Sequence, residues 1–505
     1  MELEGGLEAA GRKALEVCGL DIGGIGAGGT GALKTRRFRN FPPGPPAVPF
    51  LGNILQLNLR NPLEDMKKQL SETYGNVYSV FIGSTPVVIL HGLQAVKEAL
   101  VTQAVEFAGR PQGLLVNDVT EYKGVIIVNY GTHWKEQRRF ALSTLRNFGL
   151  GKKSMEARIQ EEVAHLTESL EQYKGQIMSP HTLLHNAVSN VICSVLLGQR
   201  FSYNDIFFQE MIHCVSENLR LINGPWGMLY DAFPIIRPLP LPYRKAITNA
   251  FKVKSFLKSI VEEHKKTRIR GEVRDIIDSY LEEMEKRKNE QSSFDNENLT
   301  ILLTDLFAAG TDTTSSTLRF AILYLMIHPD IQAKCHQEID TVLGQNKDFN
   351  FEDRLKMPYI QATIHEIQRF ADIVPLGVFH ATTKETHLCG YKLPKNTTVI
   401  ANLSSVLHDE TQWKFPYEFN PSNFLNSKGE FIKPEAFMPF SAGPRLCLGE
   451  ALAKMEIFFF MVGLLRRFHF IWPQGCGEPD PTPMFGLTQE STKYKMIFKV
   501  REKLN

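Results

Sequence analysis

Between about residue 92 and residue 330, apolar positions recur at the three- and four-residue spacing of helices, and runs of strict alternation are few. Within this stretch, residues 297–328 form one long helical pattern stopped by His328-Pro329. At 1.5 Å per residue such a helix is about 48 Å long, enough to cross a whole domain. Glu272 to Phe294 is highly charged and predicts a solvated helix and loop. Ahead of the helical region, Val77 to Ile82 and Pro86 to Leu90 read as two short strands split by Gly83-Ser84. Pro358 to Phe370 predicts a further helix, with Ile360, Ile364 and Ile367 as its apolar stripe. After residue 370 the texture changes to short strands, prolines and turns, closed by a final helix over about 449–467.

This pattern predicts a mainly α fold with a small β region, in a single large domain over residues 41–505. Residues 1–40 form an atypical Gly-rich leader that lacks an apolar signal core and ends in Lys34, Arg36, Arg37 and Arg39. From Phe41 to Asn53 prolines hold the chain extended. No run of about 18 apolar residues encodes a membrane-crossing helix. Gly24-Ile-Gly26-Ala-Gly28-Gly29 matches a dinucleotide fingerprint, but no β-branched strand precedes it and Pro42 follows too soon for a βαβ unit.

The formal charge of +2 over 505 residues gives no global pull toward nucleic acid. Locally, residues 131–153 carry Lys135, Arg138, Arg139, Arg146, Lys152 and Lys153 against one acid, Glu136. Seven scattered cysteines, none in a C-x-x-C pair, argue against a disulfide framework or a zinc ribbon. Six of them read as small buried apolar residues, and Cys447 does not.

Cys447 lies in Phe440-Ser-Ala-Gly443-Pro-Arg445-Leu-Cys447-Leu-Gly449-Glu. Gly443 suits a turn without a Cβ penalty. Cys447 sits just before the last helix, whose free N–H groups favour a thiolate. Upstream, Ala309-Gly310-Thr311-Asp312-Thr313-Thr314 begins a polar run through Thr317 in mid-helix, which is poor helix chemistry. Its hydroxyls either bond back to the helix's own carbonyls or serve a site. Glu366 and Arg369 form an E-x-x-R pair.

The pattern F-x-x-G-x-R-x-C-x-G resembles the cysteine loop of the cytochrome P450 family, in its vertebrate microsomal branch, and the resemblance runs from Phe41 onward. It implies haem b with Cys447 as axial thiolate, Phe440 and Gly443 shaping the loop, and Arg445, Arg110, His380, Trp134 and Arg138 reaching the haem propionates. Gly310 would widen the long helix, Ala309 would leave room over the iron, Thr313 would hydrogen-bond dioxygen and Asp312 would relay protons. Glu366 and Arg369 would be structural. The family's third member of that network is usually Arg or His, and here Asn423 stands in its place.

The implied activity is a monooxygenase that inserts one oxygen atom into xenobiotics or polyunsaturated fatty acids. The implied partners are NADPH–cytochrome P450 reductase, steered by the basic stretch, with cytochrome b5, a lipophilic substrate and a membrane surface. The implied place is the cytoplasmic face of the endoplasmic reticulum, held by surface contacts. The pocket draws on Leu114–Val119, Asn218–Met228, Asp305–Ala309, Pro375–Phe379 and Phe485–Leu487, with Phe307, Phe379 and Phe485 making it apolar. Two other readings remain: a haem-thiolate isomerase or dehydratase without dioxygen, and a non-enzymatic haem sensor. The Asp312–Thr313 pair argues against the first, and reductase-dependent turnover separates the second.

Overall fold

In the computed structural model, which describes residues 38–58, 61–147, 153–269, 271–345 and 348–501, the two predicted strands form a hairpin turned at Gly83. β1 (Val77–Ile82) and β2 (Thr85–Leu90) pair antiparallel, as their buried apolar faces require. Two strands from far along the chain complete the sheet. β3 (His380–Ala381) pairs antiparallel with β4 (Thr398–Ala401), which pairs parallel with β2, giving the order β1-β2-β4-β3.

The longer helices are α1 (Thr132–Asn147), α2 (Lys153–Glu171), α3 (His181–Leu196), α4 (Ile206–Asn223) and α5 (Tyr243–Thr267). They continue with α6 (Ile276–Lys286), α7 (Asn296–Ile327), α8 (Pro329–Leu343), α9 (Pro358–Ala371) and α10 (Glu450–Arg467). After α10 come β5 (Phe468–Ile471), β6 (Pro483–Met484), β7 (Glu490–Ser491) and β8 (Ile497–Val500), with β5 paired to β8 and β6 to β7.

The axis of the molecule is α7. It begins where the Asp295 carboxylate accepts the Asn298 N–H at 2.7 Å, and it runs unbroken to the residue before His328-Pro329. It packs against α3, α5, α9 and α10. At Gly310 an added Cβ would lie 2.5 Å from Ile192 Cδ1, so glycine there lets α3 approach closely. Gly310 therefore has a packing role toward α3.

The charged 272–294 segment also differs from the solvated helix expected. Ile276, Ile277, Tyr280 and Leu281 of α6 are buried, and Gln137 of α1 donates to the Tyr280 hydroxyl at 3.0 Å. Glu282, Glu283 and Glu285 stay at least partly exposed, while its four apolar residues and Asp278 are buried. The cysteine expectation holds in part: Cys193, Cys214 and Cys335 are buried, Cys389 is exposed and Cys476 half-buried, while Cys18 lies outside the described residues. Residues 1–37 of the leader, with its Gly24–Gly29 motif, and Lys152 also lie outside them. Among the described residues no helix is long and apolar enough to cross a membrane.

The Glu366–Arg369 pair is fully buried, with Arg369 Nε 2.7 Å and Nη2 2.8 Å from the two carboxylate oxygens. Arg369 donates further to the carbonyls of Leu407, Phe415, Pro416 and Glu418, which staples α9 to the irregular segment that leads to the cysteine loop. A solvated helix pair stabilises by only about 0.2–0.5 kcal/mol, whereas a saturated buried one fixes a tertiary arrangement.

Candidate active site

The cysteine loop is built from its glycine. Gly443 has φ +73°, and a Cβ on it would lie 1.9 Å from the Leu100 carbonyl oxygen, so only glycine lets the loop pass that backbone. The Cys447 N–H then donates to the Phe440 carbonyl at 3.0 Å and the Leu446 N–H to the Gly443 carbonyl at 3.0 Å. This closes the loop and leaves the sulfur at the start of α10. Burial pushes the Cys447 thiol up, while the backbone N–H groups of Gly449 and Glu450 and the Arg138 guanidinium act in the opposite direction. Yet Cys447 is accessible to solvent. A sulfur both desolvated and accessible faces an internal cleft, and a Cβ added at the neighbouring Gly449 would meet only open space.

Beside this loop lie three guanidiniums. Arg445 donates from Nε to Ala108 O at 2.9 Å and from Nη2 to Val128 O at 2.8 Å, while its buried Nη1 has no partner. Arg110 is held by the carbonyls of Ile126, Val378 and Phe379. Arg138 donates to Leu446 O at 2.5 Å, next to the cysteine. Among the described residues none of the three is paired with a carboxylate. Burial and then mutual repulsion lower Arg110 to about 9 and Arg445 to about 8. His380, whose Nδ1 lies 2.8 Å from the Phe107 carbonyl, is buried beside Arg110 and Arg445 and falls to about 3, so it is neutral.

Buried arginines without counter-charges are costly, and they mark a place where an anion belongs. The donor set therefore fits a cofactor that carries carboxylates at its edge and a thiol-seeking metal at its centre.

Trp134 lies among these cations. Its ring is 4.1 Å from the Arg445 guanidinium and 5.6 Å from that of Arg138, and its indole N–H donates to the Val125 carbonyl at 3.1 Å. The ring thus packs against two of the three guanidiniums. Sequence reading missed what holds Val125: the buried Asp305 carboxylate accepts the N–H groups of Val125 and Ile126 at 2.7 and 3.0 Å. It ties α7 to the arginine cluster, and burial raises it to about 6.

On α7, Ala309 is exposed and Thr313 half-buried although the helix crosses the interior, so this face borders open space. The Thr313 hydroxyl donates to the Ala309 carbonyl at 2.7 Å, Thr317 to Thr313 O at 2.8 Å and Ser315 to Asp312 O at 3.1 Å. Back-bonding is therefore the resting state of these hydroxyls. Asp312 is buried, its Oδ2 accepts from Thr488 Oγ1 at 2.5 Å, and burial raises its carboxyl.

The family described as Cytochrome P450 matches residues 42–498 of the chain. The chain belongs to the cytochrome P450 family. It is 43% identical to cytochrome P450 2D3 of Rattus norvegicus over 92% of this chain and 93% of that protein. It is 45% identical to cytochrome P450 2J2 of Homo sapiens over 87% of each, and 42% identical to cytochrome P450 2D6 of Homo sapiens over 92% and 94%. As a cytochrome P450 it is a haem-thiolate monooxygenase of lipophilic compounds, xenobiotics or fatty acids, supplied with electrons by a reductase.

Within this cytochrome P450 the apolar positions sort differently from expectation in one respect. Phe307 is buried in the main core, so it supports α7 rather than lining a pocket. Phe379 packs partly buried against the β1–β2–β4 sheet.

Proposed function

We propose that Cys447 is the axial ligand of haem b and that the Ala309–Thr313 face of α7 borders the space for a lipophilic substrate. The observation that carries this reading is the pair Arg110 and Arg445, buried without a carboxylate partner, with half-buried Arg138 next to them and an accessible cysteine beside all three. Arg445 Nη1 is the free donor for a propionate. An arriving carboxylate would lift the cluster's repulsion and raise the basicity of His380, which makes that residue a second donor.

Haem bound through a thiolate supplies dioxygen activation and insertion of one oxygen atom into an apolar C–H or C=C bond, the other leaving as water. Asp312, with its carboxyl raised by burial, holds a proton at Oδ and delivers it toward the cleft. Thr313, whose hydrogen is committed to the Ala309 carbonyl, offers its oxygen lone pairs to the cleft as a hydrogen-bond acceptor there. Ala309 excludes nothing larger than a methyl group and so leaves the substrate's reactive carbon room.

The outer face of α1 suits an acidic reductase. Lys135, Arg139 and Arg146 are exposed, while Glu136 is occupied by Ser293 and Arg287. Cytochrome b5 would use the same charge. The catalytic domain extends over residues 41–505 and works on the cytoplasmic face of the endoplasmic reticulum, against the membrane surface.

The test is the absorption of the dithionite-reduced protein under carbon monoxide. A strongly red-shifted Soret band is expected, lost in Cys447→Ser and kept in Cys476→Ser. A band of histidine-ligated type would overturn the assignment.

A further inference from the structure

We infer that Thr488, on the loop before β7, is the positioning residue through which a solvent proton reaches Asp312. This rests on the relay role proposed for Asp312. That carboxyl is buried on α7, and its Oδ2 is bonded to the Thr488 hydroxyl. Thr488 is only half-buried, so its hydroxyl joins a sealed acid to a solvent-contacting segment.

The loop is held for this purpose. Gln489, buried next to it, donates its backbone N–H to Ile373 O at 2.7 Å and its side-chain amide to Asp372 O at 3.1 Å. Both anchors lie just after α9, and Thr488 cannot drift from Asp312 without breaking them.

The charges around Asp312 are balanced. Glu490 of β7 raises its affinity for a proton and Arg319 of α7 lowers it, and these two lie 3.8 Å apart. Burial and then the charge of Arg319 lower His181 and His185 of α3 to about 4 and about 3, so both are neutral. Asp312 therefore depends on a donor rather than on a net field.

In the transfer, a solvent hydronium gives a proton to Thr488 Oγ1 and leaves as water, as the bond from that oxygen to its own hydrogen breaks and the Asp312 Oδ2–H bond forms. One proton enters, one leaves the hydroxyl, and no electrons change hands. Rotation of the hydroxyl resets it.

The experiment uses the holoenzyme with its reductase and a lipophilic substrate it turns over. It measures how NADPH electrons divide between product and hydrogen peroxide across pH. Thr488→Val is expected to lower product per NADPH several-fold, more so as pH rises, with an unchanged reduced-carbon-monoxide spectrum. Thr488→Ser is expected to restore coupling. If the valine variant does not fold, Thr488→Ala, which also removes the hydroxyl, carries the same expectation.

Wild-type coupling in Thr488→Val, or equal defects in the serine and valine variants, would overturn the inference. Asp312→Asn separates the two readings. Should it leave coupling unchanged, the relay itself fails and this inference with it; should it uncouple while Thr488→Val does not, only the role of Thr488 fails.

Discussion

The side-chain amide of Asn423 donates to both carboxylate oxygens of Glu366, at 3.2 and 3.3 Å. Its own carbonyl accepts the Phe415 N–H at 3.0 Å, and the Asn420 N–H donates to Glu366 at 2.7 Å. The position where a cation is usual in the family thus holds a neutral donor with every hydrogen-bonding role used. The buried network keeps one negative and one positive charge. A third, cationic member would leave it with a net charge in the interior.

Removal of partners from this network is expected to cost unequally. Asn423→Ala costs about 1.5–3 kcal/mol, the value of a hydrogen bond to a charged group. Glu366→Gln costs about 3–5 kcal/mol, because Arg369 is left as an uncompensated buried charge. Denaturant unfolding of the purified protein checks both, and equal losses would refute the charge argument.

His264 predicts a pH dependence. Its two ring nitrogens lie 2.9 Å from the Ile260 carbonyl and 2.7 Å from the Asp275 carboxylate, both acceptors, so the protonated ring has a partner for each N–H. Burial opposes that charge, but the hydrogen bond and attraction from Asp275 leave the histidine above its ordinary value of 6.5. A raised folded value means that the stabilisation is fully present below 6.5 and is lost as pH rises through the folded value. Thermal unfolding of the wild type against His264→Gln, across that range, is expected to show the difference between them shrinking with pH.

Gly443→Ala is expected to abolish haem retention. The substitution adds the cost of a positive φ, about 1–2 kcal/mol, to a collision with the Leu100 backbone. Gly449→Ala meets no protein atom, so its effect reads out the space the cofactor needs. Haem-to-protein absorbance ratios after purification check both.

Arg445 and Arg110 give a prediction of opposite signs. If their repulsion is relieved by a bound dianion, Arg445→Gln lowers haem retention in the holoprotein yet stabilises the haem-free protein by removing one of three like charges. Thermal unfolding with and without haem measures the crossing, and destabilisation of both forms would count against an anion site.

Local chemistry was legible in the sequence and distant contact was not. α7 and the cysteine loop announce themselves because a helix period, a Pro stop and a Gly-x-Arg-x-Cys spacing are properties of neighbouring residues. The role of Gly310 depends on Ile192, and that of Thr488 on Asp312, which are far apart in sequence. Phe307 looked like a pocket residue because an aromatic in mid-helix carries no mark of the side it faces. Asp305 was grouped with the pocket by position, although its carboxylate serves the backbone of Val125. The absence of a cation at 423 was readable, and the completeness of the amide's replacement was not.

The placement of Trp134 has an optical consequence. Indole emission responds to nearby charge, and this ring, one of four tryptophans, lies close to two guanidiniums of the proposed cofactor site. The protein therefore carries its own fluorophore at the cofactor's edge. Its colour and brightness report whether those two cations have been neutralised, without any added label.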